Sequence, residues 1–208
     1  MSKFACLIFV CYLASLAIAG GEPKDILTFR GASDASAAVA LSEDMFIVAD
    51  DENNVLRVYR ADKGGEPVST YNLKAFLGVE PERPEADIEG ATMIGRRIYW
   101  ITSHGRNKDG KIRSSRYRFF ATDVDVEDQN VTVSPVGRPC QTVVHELVKS
   151  QTGRRLGLDK ATRFGDDLKK KDLEKLAPKE EGLNIEALCA SADGRTIYIG
   201  FRNPRPVG

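Results

Sequence analysis

The sequence has few of the residues and motifs that mark common catalytic and metal sites. It has 208 residues with only two histidines and four cysteines, and no CxxC pair, so neither a zinc ribbon nor a thioredoxin-type dithiol is supported. His145-Glu146 begins like the HExxH zinc motif, but Lys149 stands where the second histidine is required. Glycine patterns typical of phosphate loops and dinucleotide-binding turns are also absent, which argues against nucleotide chemistry.

A net charge is lacking as well. The 30 basic and 30 acidic side chains cancel. The chain therefore has no general attraction to nucleic acid or anionic membranes, and we predict no nucleic-acid partner. Hydrophobic residues make up 42% of the chain and charged residues 29%, which is ordinary for globular proteins and excludes a disordered or collagen-like chain.

Long apolar runs are absent except at the N-terminus. Phe4 to Leu13 is unbroken, and the apolar character continues to Ala19. The stretch covers about 16 residues, fewer than the roughly 20 that a membrane-spanning helix needs. Ala17-Ile18-Ala19 has the small-x-small form of a signal peptidase site. We predict a signal peptide at residues 1–19, a secreted or periplasmic protein and no membrane span after cleavage. An uncleaved anchor is the alternative.

Two cysteines, Cys140 and Cys189, remain after this signal peptide. In an exported protein they could form a disulfide. Cys189 also lies in an apolar, strand-like run, where a buried free thiol is equally compatible with the pattern. Asn130-Val131-Thr132 is a glycosylation acceptor only if the secretory route of the host glycosylates.

Short apolar and β-branched runs dominate residues 26–137. Met45–Ala49 and Val55–Tyr59 flank a polar tip at residues 50–54, as in a β-hairpin. Residues 139–181 instead show helical spacing, which predicts a helical insertion with Gly153 ending one helix and Asp166 capping another. The chain is therefore predicted to be all-β, with antiparallel strands and one helical insertion.

A loose pattern occurs three times along the chain. Asp34-Ala35-Ser36-Ala37, Asp87-Ile88-Glu89-Gly90 and Asn184-Ile185-Glu186-Ala187 each precede an apolar strand, a short break and a second strand. Units of this kind spaced about 40 to 50 residues apart are typical of propeller blades. We predict a partial β-propeller of about three blades in residues 20–208. Because propellers usually close with more blades, we interpret the domain as truncated at its C-terminus. A partner at the open edge is the alternative.

Several segments together resemble one bacterial family of domains of unknown function, found largely in exported proteins. The resemblance implies a β-propeller, distantly similar to the esterase-like phytase and lactonase propellers, and brings no agreed activity. Ala187 departs from the family, which usually has glycine there. The segments that carry the resemblance, beside the first two repeated motifs, are Ala49 to Tyr59, Tyr99 to His104, Gly182 to Glu186 and Gly200 to Pro204.

The repeated motifs supply the candidate site. Positions two apart on a strand share a face, so Asp87 and Glu89 would point together, as would Asn184 and Glu186, with Asp34 at the equivalent place in the first copy. If each copy forms an innermost strand, these groups converge near a central channel. There Glu89 and Glu186 could hold Ca²⁺ or another divalent cation, or carboxylates could act as general acid and base. Capping of strand starts is the alternative.

Three further candidates follow predicted strands, where loops often carry function. His104 could contact a substrate, and Arg202 with Asn203 could bind a carboxylate or phosphate. A surface loop and a salt bridge are the respective alternatives. The basic run at residues 104–118 suggests either an anion contact or a solvated surface.

Two hypotheses of function remain. The first is an exported hydrolase that uses a metal or carboxylate centre on a small substrate. The second is a non-catalytic propeller that binds a small molecule or a protein partner. The sequence names neither the substrate nor the partner.

We predict cleavage of the chain after Ala19, which leaves Gly20 as the mature N-terminus. N-terminal sequencing of the protein recovered from the periplasm or medium tests this. A mature chain that keeps Lys3 would contradict it.

Overall fold

The computed structural model describes residues 26–128 and 130–205, and these residues are mostly β. Within them, ten strands form three antiparallel sheets of four, four and two strands. Five short helices interrupt the strands. The predicted signal peptide at residues 1–19 lies outside the described residues. No helix of the described part is long and apolar enough to cross a membrane.

The first sheet is a meander in which each strand pairs with the next along the chain. The predicted hairpin around residues 50–54 is confirmed, since β2 and β3 pair directly across it. Leu56 and Val58 are fully buried while Val55 and Arg57 are partly exposed, as period-2 alternation requires. The strands are β1 (Ala35–Ala40), β2 (Met45–Asp50), β3 (Val55–Arg60) and β4 (Ser69–Asn72).

The second sheet repeats this meander after the short helix α1 (Lys74–Leu77). Its centre is Trp100, which is fully buried and donates its indole N–H to the Thr122 hydroxyl at 3.0 Å. A buried indole N–H without an acceptor would be costly. The strands are β5 (Ile88–Ile94), β6 (Arg97–Thr102), β7 (Phe119–Glu127) and β8 (Asn130–Cys140).

Helices separate the second sheet from the third, which has two strands, β9 (Asn184–Ala190) and β10 (Ile197–Asn203). The predicted helix ends were wrong. Gly153 lies inside a helix, where a Cβ would overlap the Leu147 carbonyl oxygen, and Asp166 pairs with Arg163 instead of capping. The helices are α2 (Val143–Lys149), α3 (Gln151–Arg155), α4 (Leu158–Thr162) and α5 (Lys170–Glu174).

Two apolar cores lie on opposite sides of the second sheet. Trp100 belongs to the core shared with the first sheet, and its neighbour Ile101 belongs to the core shared with β9 and the helices. Adjacent residues of a strand face opposite sides of its sheet, so β6 connects the two cores. Cys140 and Cys189 are both free and exposed, so neither alternative holds: the two cysteines do not pair, and Cys189 is not a buried thiol.

The first strands of the three sheets are neighbours, with β5 between β1 and β9. A Cβ at Gly90 of β5 would lie 2.8 Å from the Leu188 nitrogen of β9, closer than real Cβ atoms come. Thr92 reinforces the contact, because its hydroxyl accepts the Ala190 N–H at 2.9 Å. The close approach therefore exists although Ala187 stands where the resembling family usually has glycine.

We expect Gly90→Ala to destabilise the fold by about 1–3 kcal/mol, since the added methyl forces β5 and β9 apart. Urea denaturation measures this. Thr132→Ala, at an exposed position of β8, is the control and should change stability by less than about 0.5 kcal/mol. Equal stability of the two variants would show that the strands are not in contact.

Candidate functional site

A pocket of about 740 Å³ opens where β5 and β9 begin. Five of the predicted site residues line it together: Asp87, Glu89, Asn184, Glu186 and Arg202. The opposite side is formed by the loop after β6 and the segment around α5. The charged lining residues from those two regions and from β10 are Arg106, Lys108, Arg116, Lys171, Glu174, Lys175, Lys179, Glu180 and Arg202.

The third residue of each repeated motif lies at a β-bulge. On β5, Ile88 pairs with Thr102 and Gly90 with Ile101, which leaves Glu89 as the extra residue. The same shift in register leaves Ser36 unpaired on β1 and Glu186 unpaired on β9. A bulge redirects a side chain and often stands beside functional sites. The three leading strands thus share a local geometry at the positions that the sequence motifs align.

Three carboxylates gather at this end of the sheets. One oxygen from each of Asp51, Asp87 and Glu89 lies within 4.8 Å of the others, and we call these residues the carboxylate cluster. The sequence analysis proposed Glu89 and Glu186 as the metal pair and did not include Asp51. The signal was present, because Asp51 lies in the acidic tip of the β2–β3 hairpin.

The cluster is short of positive charge. Burial, followed by the nearby carboxylates of Asp87, Glu186 and Asp51, raises the pKa of Glu89 to about 8. Burial and the charges of Asp34 and Asp87 raise the pKa of Asp51 to about 6, although a hydrogen bond from Ser36 opposes the shift. Crowded carboxylates favour a bound proton or a bound cation, since either relieves their repulsion.

Two oxygens near the cluster have no hydrogen-bond partner among the described residues, Asp51 Oδ1 and Asn184 Oδ1. Asn184 is only 5% exposed. Its amide nitrogen donates to Glu186 Oε1 at 2.6 Å, whereas its amide oxygen has no partner among the described residues. Buried polar atoms are nearly always satisfied in folded proteins. An unsatisfied amide oxygen in a pocket is therefore a candidate cation ligand.

The backbone around the cluster is strained. Asp87 and His104 both adopt positive φ angles, 63° and 51°, which non-glycine residues rarely do. The Ser103 N–H donates to the Asp87 carbonyl at 2.8 Å and ties the two segments together. Strained residues persist where the surrounding contacts hold them, and they are frequent at functional sites.

Arginines hold two of the carboxylates in place. Arg116 pairs with Asp87, Nη1 to Oδ2 at 3.0 Å, and also with Glu85. Arg202 pairs with Glu186 at 3.3 Å. Asn203 does not line the pocket, but its amide donates to the carbonyls of Pro178 and Glu180 at 3.0 and 2.9 Å, so it positions one wall.

His104 is fully buried and is not among the residues that line the pocket. Its Nδ1 lies 2.8 Å from the Thr102 carbonyl oxygen, and its ring packs edge-on against Tyr117. Burial lowers the pKa of His104 to about 4, so the ring is neutral at physiological pH. Asp34 is exposed; its charge helps to raise the pKa of Asp51, and its backbone carbonyl accepts the Asp51 N–H at 3.2 Å.

The basic run at residues 104–118 is more than a solvated surface. Arg106 and Arg118 are 7% and 3% exposed. Arg118 donates to four backbone carbonyls, which fixes the turn before β7: those of Leu77, Gly78, Ser114 and Tyr117. Arg106 lines the pocket.

The fold and the site define a mostly-β protein with a charged pocket at the leading ends of its sheets. The chain belongs to the DUF3616 family, a family of proteins of unknown function whose model matches residues 34–207. This confirms membership of a domain-of-unknown-function family. Comparison with curated proteins gives no match.

We expect the stability of the chelator-treated protein to fall as pH rises from about 4.5 to about 8. The pKa of Glu89 is 4.5 ordinarily and about 8 in the fold, so in this window the folded protein holds a proton that the unfolded chain has released. The stability that this proton contributes is fully present below the unfolded pKa of about 4.5 and is lost as the pH rises through the folded pKa of about 8. Urea denaturation across this pH range measures the slope.

Glu89→Gln should flatten the pH dependence, because the amide cannot ionise. The control is Glu127→Gln, an exposed acid at the end of β7, which should keep the wild-type slope. An unchanged slope in Glu89→Gln would mean that Glu89 is ordinarily solvated.

Proposed function

We propose that the protein binds a divalent cation at the carboxylate cluster and uses it to hydrolyse a small substrate in the pocket. The observation that carries this proposal is the convergence of three carboxylate oxygens within 4.8 Å. Asn184, whose buried Oδ1 has no partner among the described residues, lines the same pocket as Asp87 and Glu89. These are hard oxygen donors, which suit Ca²⁺ or Mg²⁺ better than softer metals.

The ligands come from different parts of the chain. Asp51 follows β2, Asp87 precedes β5, Glu89 is the second residue of β5, and Asn184 begins β9. A cation there would join the first two sheets to the third and would stabilise the charged form of Glu89, whose pKa burial and the neighbouring carboxylates raise. The cation would also balance the negative charge of Asp51, whose buried Oδ1 has no partner in the described chain.

The pocket favours metal-activated water over a serine, cysteine or histidine nucleophile. No serine, cysteine or histidine is among its described lining residues. A divalent cation lowers the pKa of bound water and polarises the bond under attack. The water oxygen would bond to the acyl carbon or phosphorus, the ester bond would break, and the leaving oxygen would take up a proton.

For the architecture, we propose that the three sheets are consecutive blades of a β-propeller in an exported protein. Two sheets are four-stranded meanders, each first strand carries its bulge at the same motif position, and β5 lies beside both β1 and β9. Leading strands that line one axis are the arrangement of propeller blades. The N-terminal apolar run supports export.

A binding protein without catalysis is the second candidate. Asp87 and Glu186 are already paired with Arg116 and Arg202, so part of the pocket is preorganised by ion pairs. Preorganisation suits tight binding as well as catalysis. The cation site is common to both candidates, and turnover separates them.

We expect Ca²⁺ or Mg²⁺ to stabilise the chelator-treated protein by about 2.7 kcal/mol at a hundredfold excess over its Kd. For a chain of this size that shift corresponds to a Tm increase of roughly 5 to 10 °C. Calorimetric titration gives the Kd, and p-nitrophenyl acetate and p-nitrophenyl phosphate test for cation-dependent turnover.

Asp51→Asn and Glu89→Gln should each remove most of the cation effect, while Glu127→Gln should keep it. Cation binding without turnover would favour the second candidate. Unchanged Tm and no heat of binding with millimolar cation would overturn the cation site and with it the hydrolase proposal.

A further inference from the structure

Arg106 is a buried charge without a counter-ion. It is 7% exposed and forms no ion pair with a carboxylate of residues 26–128 or 130–205. Its Nη1 and Nη2 donate to the carbonyls of Gly110 and Thr162 at 2.9 and 2.6 Å, and its Nε has no acceptor. A buried guanidinium in this state is costly, because neither water nor a carboxylate neutralises it.

The two neighbouring arginines show that this state is specific to Arg106. Arg116 is paired with the carboxylates of Asp87 and Glu85. Arg118 is equally buried, but all three of its guanidinium nitrogens donate to carbonyls. Arg106 alone of these three both lines the pocket and keeps an unsatisfied donor.

Lysines add to this positive charge in the pocket lining, together with the acids Glu174 and Glu180 of the same helical segment. We define the basic wall as Arg106, Lys108, Lys171, Lys175 and Lys179. All five line the pocket. Lys108, Lys171 and Lys179 form no ion pair within the part of the chain that the structure describes, and Lys175 approaches Asp172 only at 3.9 Å. The acids that the basic wall faces are partly neutralised by Arg116 and Arg202.

The basic wall is built into the fold. A Cβ at Gly110 would overlap the Leu173 carbonyl oxygen, so glycine is what lets the Arg106 loop pack on α5. The Gly110 carbonyl in turn accepts from Arg106. Asn203 holds the chain after α5 through the carbonyls of Pro178 and Glu180. The helical segment between β8 and β9 thus supplies one side of the pocket.

We propose that the pocket takes a small ligand with an oxyanion, a carboxylate or phosphate group, which the basic wall binds through Arg106. This inference rests on the proposed function and names its substrate class. An oxyanion would accept from the unsatisfied guanidinium and neutralise its charge. A cation at the carboxylate cluster would add further positive charge and strengthen anion binding. The volume of about 740 Å³ suits a small molecule.

Three probes of similar size test the proposal by calorimetric titration of the full chain: phenyl phosphate, benzoate and neutral benzamide. Each is titrated with and without saturating Mg²⁺. At least one anion should bind at least about tenfold more tightly than benzamide, and the better anion identifies the group. Benzamide binding as tightly as both anions would overturn the proposal.

Arg106→Met should weaken binding of the better anion by about tenfold or more and leave the Mg²⁺ affinity within about twofold. Because this change also removes two backbone hydrogen bonds, the exposed pair Lys108→Gln/Lys171→Gln provides a second test that spares the fold. It should weaken the anion by about two- to fivefold. Arg155→Met, an exposed arginine of α3, is the control and should bind like wild type.

The outcomes separate the two proposals. Mg²⁺ binding with no anion binding would overturn the oxyanion site and leave the cation site standing. Anion binding with neither Mg²⁺ nor Ca²⁺ binding would support the basic wall and overturn the cation site. Anion affinity unchanged in both Arg106→Met and the lysine pair would show that the basic wall does not bind the ligand.

Discussion

The close packing of the three leading strands is the constraint on which the site depends. Gly90 lets β5 approach β9 at its Leu188 nitrogen, and β5 also lies beside β1. With the strands at this distance, the bulges at the third motif residue place Glu89 and Glu186 in one pocket. A wider spacing of β5 and β9 would move Glu186 away from Glu89 and weaken the repulsion between their charges.

Repulsion among these carboxylates is retained because other contacts compensate for it. Arg116 and Arg202 neutralise Asp87 and Glu186, while the buried Trp100 and the two apolar cores hold the sheets together. Burial lowers the local dielectric constant around the carboxylates, which strengthens the repulsion between their charges. The fold thus stores electrostatic strain at one end of the sheets, where a ligand of positive charge would relieve it.

The helical segment gives the pocket its asymmetry. Without it, the pocket would be bounded by the acidic ends of the strands. With α5 packed on the loop that contains Gly110, the helical segment adds three lysines together with Glu174 and Glu180 to the pocket lining, and Arg106 is buried. A pocket lined by both acidic and basic side chains can orient a ligand that carries both an anionic group and a bound cation, which a uniformly charged surface cannot do.

Local patterns predicted the β character and the hairpin at residues 50–54, because strand period is a local property, and the repeated motifs marked Asp87, Glu89, Asn184 and Glu186, which line one pocket. Regular strand alternation does not account for their placement, because bulges leave Glu89 and Glu186 unpaired. The packing of distant segments brought Asp51 into the carboxylate cluster, buried Arg106 and bound Asn203 to the carbonyls of Pro178 and Glu180. Helix ends at Gly153 and Asp166 were also mispredicted, since packing against Leu147 and pairing with Arg163 outweigh local preference. Charge and exposure at a given residue depend on which distant segments pack against it, and no local pattern encodes that.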